Sequence, residues 1–315
     1  MAKNVVSVLL LAWLPLLYPA GSVARYAGQT NLETSSLEPY ILIGESGKNV
    51  ERTASDIIGQ LFMRNYEILG KYTPAGDPNR CVIVVTNHDL LKAVAELKPT
   101  ATFAAVVRIA VTREGEMTYV SCQNPVYWAN AYLQENYTSV AEQIAKFKQD
   151  LVRAMPPLRG RFNRPFGGPR NHPLTPEKIR TYRFRRRAEA FNDQITLATF
   201  DSFEEAVAII ENRLASSALL TRVFEKTTPG KQVKLYGLAL GGDTGEKRIF
   251  SLLDTERMKR TASMPYEILV VEKRVVMLPV RFRLPLSFPH IDRKTYRQLK
   301  AVDKNITQLL STLVE

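Results

Sequence analysis

Histidine and cysteine, the side chains that most often ligate metals or attack substrates, are scarce in this 315-residue chain: His88, His172 and His290, with Cys81 and Cys122. None of the five lies at the short spacing a zinc site needs. Cys81 and His88 could share a metal only if a strand and a helix start converge, and no further ligand is spaced to help. No G-x-S-x-G or H-E-x-x-H run occurs. The sequence therefore offers no catalytic residue, no metal site and no cofactor. Gly241–Lys247 follows a strand pattern and opens a helix, as a phosphate loop would. It lacks the P-loop spacing, and Asp243 and Glu246 would repel phosphate. Their three-residue spacing fits a capping-box variant instead.

The densest group of ligand-capable side chains is Asn124, Tyr127, Trp128 and Tyr132. Asn124 suits a helix cap, and Pro125 the first turn after it. Trp128 and Tyr132 stand one turn apart, while Tyr127 points about 100° aside from Trp128. These four are the candidate residues for holding a small-molecule ligand. The competing reading is that the aromatics pack the helix on a sheet and keep their polar atoms at its edge.

Charge gives the second candidate. Pro156–Arg187 carries ten Lys/Arg against one Glu, with six prolines and three glycines, so it supplies +9 of the net +12. Arg183, Arg185, Arg186 and Arg187 are the candidate contacts for an anionic partner, either an anionic lipid surface or an acidic envelope protein. Phe162, Phe166, Tyr182 and Phe184 are interleaved with them. The alternative is a solvated linker whose arginines pair with acids on its flanks. Nucleic acid fits an exported protein badly.

Export is read from the start of the chain. Lys3 precedes the apolar run Val5–Leu17, and Ser22-Val23-Ala24 is a small-residue cleavage pattern, placing the cut after Ala24 and the protein in the periplasm or outside the cell. An uncleaved anchor is the alternative. An oxidising compartment permits a Cys81–Cys122 disulfide, with two buried free thiols as the alternative.

The elements that must position these groups fall into two similar series. Strands are expected at Tyr40–Ile43, Tyr66–Tyr72 and Cys81–Thr86, helices at Thr53–Phe62 and Asp89–Leu97, and a hairpin over Thr102–Thr112 and Glu116–Cys122. Helical pattern then runs to about Met155. The second series has strands at Gln194–Phe200, Leu219–Lys226 and Val233–Leu240, with helices at Phe203–Leu214 and Lys247–Leu253. A hairpin of Glu267–Glu272 with Val275–Leu286 and a last amphipathic helix complete it. Pro74 and Pro229 are 155 residues apart and Pro125 and Pro289 164 apart. A nine-residue insertion within Leu240–Met264 is the expected cause. The fold class is α+β: two tandem βαββαββ-type repeats, each a sheet packed with helices, joined by a basic Pro/Gly/Arg-rich connector. The divisions are a signal peptide at 1–24, a first repeat at 25–155, a basic linker at 156–187 and a second repeat at 188–315.

YEILGKYTP, FAAVVRIAV and NPVYWANAYL in the first series resemble the bacterial family called domain of unknown function 302. FDSFEEAV, SMPYEILVVE and RFRLPLSFP in the second are similar in order and kind. The resemblance implies a small sheet-and-helix unit of unassigned role and brings no catalytic residue. The expected function is that of an exported, non-catalytic binding or accessory protein of the cell envelope. The alternatives are an enzyme with a small-molecule pocket between the repeats, or a structural protein self-associating through its last helix.

Overall fold

Apolar runs of seven or eight residues separated by Asn-capped helices dictate the first sheet. In a computed structural model, which describes residues 36–160, 162–169 and 172–315, the first series runs β1 (Tyr40–Ser46), α1 (Val50–Phe62), β2 (Glu67–Tyr72), β3 (Arg80–Thr86), α2 (His88–Ala95), β4 (Val107–Glu114), β5 (Met117–Gln123), α3 (Pro125–Leu133) and α4 (Ala141–Arg153). The proposed signal peptide and its cleavage site lie outside the described residues. Asn49 and Asn87 cap α1 and α2 by accepting from the N–H of Arg52 and Leu90, which satisfies donors a helix start leaves unpaired. Alpha-helical spacing puts Val50, Ala54, Ile57 and Leu61 of α1 on one buried face. The strands are antiparallel in the order β2-β3-β4-β5-β1. All seven positions of β3 are buried. Helix α1 packs against it, and so does the 3-10 turn Thr261–Ser263 from the second half of the chain.

The stretch expected as a linker is built into this sheet. Its short strand β6 (Arg164–Phe166) pairs antiparallel with β1, Tyr40 opposite Phe166. Arg159 and Glu45 exchange both backbone hydrogen bonds, at 2.8 and 2.9 Å. The single-turn helix α5 (Pro176–Arg180) follows, capped by Thr175.

The second series runs β7 (Ile195–Thr199), α6 (Phe203–Ser216), β8 (Leu220–Thr227), β9 (Val233–Leu240), α7 (Glu246–Leu253), β10 (Tyr266–Val271), β11 (Arg274–Met277), α8 (Val280–Ser287) and α9 (Arg293–Ser311). Its antiparallel order, β7-β11-β10-β9-β8, matches β1-β5-β4-β3-β2 element for element. Bulges also fall at matching places: Leu42/Gly44 and Val275/Val276 on one side, Ile68/Gly70 and Arg222/Phe224 on the other. Gly70 is required there, because a Cβ would stand 2.1 Å from the Val223 carbonyl oxygen of β8. Edge strands of the two sheets therefore meet backbone to backbone, and Glu33–Glu315 is one compact unit. The sheets with their helices make the molecule α+β.

Four expectations need correction. Val275–Leu286 is not one strand: β11 ends at Met277, and α8 starts after Pro279. The alternation Phe282, Leu284, Leu286 imitates a strand, but the intervening Arg283, Pro285 and Ser287 are buried too, so no solvent face exists to read. Pro289 consequently lies beyond α8. Val280 holds the place of Pro125, at an offset of 155 like that of the earlier proline pair, so no net insertion remains: the longer Gly241–Gly245 connector before α7 is offset by the shorter β10–β11 hairpin. Asp243 does not cap α7; Gly245 is the N-cap, without a side-chain bond. Lastly, β4 stands between Cys81, opposite Val111, and Cys122, opposite Ile109. Two strand spacings, about 9.6 Å, exceed the reach of a disulfide, and both thiols are free and buried.

The last helix covers its own core. Tyr296, Leu299, Val302, Ile306 and Leu310 are buried along α9 in the cluster that fills the second half, which leaves no apolar stripe for self-association. No helix among the described residues is long and apolar enough to cross a membrane.

Candidate functional site

The aromatic helix α3 lies in the interior. Asn124, Tyr127, Trp128 and Tyr132 are between 0 and 4% exposed. Pro125 starts the helix, and Asn124 turns away from capping it: its amide donates to the Glu38 carbonyl at 2.9 Å. Trp128 Nε1 donates to Pro39 O at 2.9 Å and the Tyr127 hydroxyl to Leu286 O at 2.9 Å. These bonds tie α3 to the entry of β1 and to α8. The four residues are packing and hydrogen-bonding groups, which corrects the expectation of an open ligand pocket.

Beneath them lies a charge cluster that the sequence did not reveal. Glu267 on β10 forms ion pairs with Arg108 of β4 and, at 3.6 Å, with Arg283 of α8. All three are at most 2% exposed. Arg108 also donates to Pro265 O at 3.2 Å and Arg283 to Ser263 O at 3.0 Å, while the Arg283 guanidinium sits 4.8 Å over the Trp128 ring. Nearby, Arg80 pairs with buried Asp254 at 2.6 Å. Only packing of the first half against the second brings these residues together, across two different sheets, so no local spacing announces them.

Burial also decides what the titratable groups can do. It pushes the Cys81 thiol up to about 11 and the Cys122 thiol up to about 12, so neither supplies a thiolate nucleophile near neutrality. Burial raises Glu246 to about 7 against hydrogen bonds from Ala75 N–H and the Tyr72 hydroxyl. Among the described residues no three His, Cys, Asp or Glu side chains converge as a metal site.

The open concave site with one sign of charge is formed by the connector against the α8–α9 turn. A groove of about 730 Å³ is lined by His172, Arg183, Arg185, Arg186 and Arg293 over a floor that includes Leu174, Tyr182, Phe184 and Ile291; among the described residues no acidic side chain lines it. The floor is held by three contacts. The Tyr182 hydroxyl donates to Pro285 O at 3.1 Å, Phe184 stacks on Tyr296 at 4.2 Å, and the Arg185 guanidinium lies 5.6 Å over the same ring. Arg183 is partly committed, to Ala188 O and, at 3.2 Å, to Asp193. Arg185, Arg186 and Arg293 present exposed guanidinium groups. Arg187 does not line the groove. Sequence reasoning did not mark His172 or Arg293 as contacts for an anionic partner; Arg293 lies outside the basic connector and reaches the groove only through the fold. The cleft between α2 and α4 is different in kind, mixing Asp89, Asp150, Lys92 and Lys146.

The chain matches no family model and no curated protein. It is similar to the crystal structure of an uncharacterized conserved DUF302 protein from Bacillus stearothermophilus, at 12% identity and a TM-score of 0.32, over 35% of this chain and 91% of that one.

Proposed function

We propose that this is an exported, non-catalytic binding protein of the cell envelope that holds an acidic protein segment in the connector groove. The observation carrying the reading is the groove itself: His172, Arg183, Arg185, Arg186 and Arg293 converge over an apolar floor with no acid among them. Concave, single-signed surfaces focus field toward an oppositely charged ligand. A lipid surface fits less well, because three of the four interleaved rings are engaged with the protein: Tyr182 is buried, Phe184 stacks on Tyr296 and Phe166 packs on Tyr40, which leaves Phe162 as the exposed one. The leader pattern Lys3 to Ala24 supports export. We also read the two series as a divergent duplication of a 302-family-like unit; their common strand order supports it.

Titration of the full mature chain with a poly-glutamate peptide tests the binding role. Binding should weaken steeply with salt and fall about tenfold or more in Arg185→Gln/Arg186→Gln/Arg293→Gln with the fold retained. Equal binding by this variant, or preference for anionic vesicles over the peptide, would remove the reading.

A further inference from the structure

The connector groove has a charged rim and an apolar floor, and the floor narrows what the partner can be. The cations come from two elements: Arg183, Arg185 and Arg186 from the connector, and Arg293 from the first turn of α9. Apart from His172, the rest of the described lining is Pro, Leu, Tyr, Phe and Ile. Tyr182 and Ile291 are buried, whereas Leu174 and Phe184 are half-buried and keep apolar surface turned to the groove. Both are held in place. Phe184 gives one ring face to Tyr296 at 4.2 Å, and the Leu174 carbonyl accepts from the Leu37 N–H at 2.8 Å. The floor therefore does not have to be ordered when a partner arrives, which spares that part of the binding cost. A ligand that carried charge alone would meet the arginines and leave this surface against water.

We propose that the groove selects a segment in which an aromatic or aliphatic side chain is bracketed by acidic ones. The acids meet Arg185, Arg186 and Arg293, and the apolar side chain lies on Leu174 and Phe184. The inference rests on the groove reading above and narrows its partner from any acidic segment to an acidic-apolar one. Charge pairs exposed at the rim chiefly steer the encounter, and salt screens them. Apolar contact is not screened, so it carries the affinity that remains at high salt. Full burial of a Phe or Leu side chain is worth roughly ten- to a hundredfold in affinity. A groove open on one side covers only part of the side chain, which sets the expected gain at about tenfold.

Calorimetric titration of the full mature chain with two peptides of equal length and charge tests the selection. One is a run of Glu with Phe at its centre, the other the same run with Gly in that place. The Phe peptide should bind about tenfold more tightly, with the more negative heat-capacity change. Added sodium chloride should weaken both peptides and leave their ratio. Arg185→Gln/Arg186→Gln/Arg293→Gln should weaken both together, whereas Leu174→Ser should narrow the ratio. Equal affinity for the two peptides overturns the inference and leaves the charged groove standing. A ratio untouched by Leu174→Ser also overturns it, because the apolar contact would then lie outside the groove. Binding of neither peptide removes the groove reading and the inference with it. Should Leu174→Ser fail to fold, the two peptides on the unaltered chain decide.

Discussion

The Tyr72 hydroxyl donates to the Glu246 carboxylate at 2.9 Å, joining residues 174 apart in sequence and the first sheet to α7. The same carboxylate accepts from the Ala75 backbone N–H at 2.7 Å, and Glu246 is 1% exposed. A turn, β2–β3, and a helix start, α7, are thus fastened through one buried acid.

Glu246 should make stability fall as pH rises toward neutrality. Burial raises its pKa from 4.5 to about 7, so between those values the folded chain keeps a proton the unfolded chain has released. Stability from this group is complete below about pH 4.5 and lost as pH rises through about 7, on the order of 3 kcal/mol in all. Chemical unfolding across pH 4.5 to 8 should show that slope, and Glu246→Gln should flatten it. An unchanged slope in the variant would show that the carboxyl is ionised throughout.

Glu267→Gln should be among the most damaging conservative changes in the protein. It leaves Arg108 and Arg283 buried without their shared counter-ion, a loss of roughly 3 to 5 kcal/mol. Replacing all three by Met or Leu of similar volume should cost far less, because the charges leave together. Urea midpoints of the single and triple variants make the comparison; equal losses would mean the site tolerates no apolar repacking.

Phe184 and Arg186 separate the two halves of the connector's character. Phe184→Ala removes the ring stacked on Tyr296 at 4.2 Å and should lower stability by roughly 2 kcal/mol, below the range for fully buried rings. Arg186→Gln alters only an exposed charge and should change stability by less than about 0.5 kcal/mol. Thermal denaturation of both checks the division.

Cys81 and Cys122 should be unreactive in the native state. With thiols at about 11 and 12 and no bridge between them, a thiol reagent at pH 7.5 should label neither until denaturant is added, then both. Failure to label two thiols after unfolding would reveal an oxidised pair.

The regular parts of the fold were legible because local rules governed them. Asn87 caps α2 from the position just before an apolar run, and the strand runs around Val82–Val85 and Val233–Leu240 bury as their composition demands. Helix α8 escaped because it is buried on all sides, which erases the amphipathic period of 3.6. Strand β6 escaped because Arg164-Pro165-Phe166 is short and reads as punctuation; only its pairing with Tyr40–Leu42 makes it a strand. The aromatic residues of α3 carried two readings, ligand pocket and core packing, since Trp128 and Tyr132 look alike on paper whether they line a pocket or fill a core; their burial decides for packing. The Arg108–Glu267–Arg283 cluster spans residues that no window can hold together.

The pairing of β6 with β1 also has a temporal meaning. Tyr40 meets Gln123 on one side and Phe166 on the other, so the first strand to emerge during synthesis waits longest for its outer neighbour. Such distant pairings are slow to form, and an unpaired edge can recruit another chain. A chain cut off within the connector would therefore leave β1 open, and nascent chains arrested there should aggregate more readily than chains that have passed Phe166.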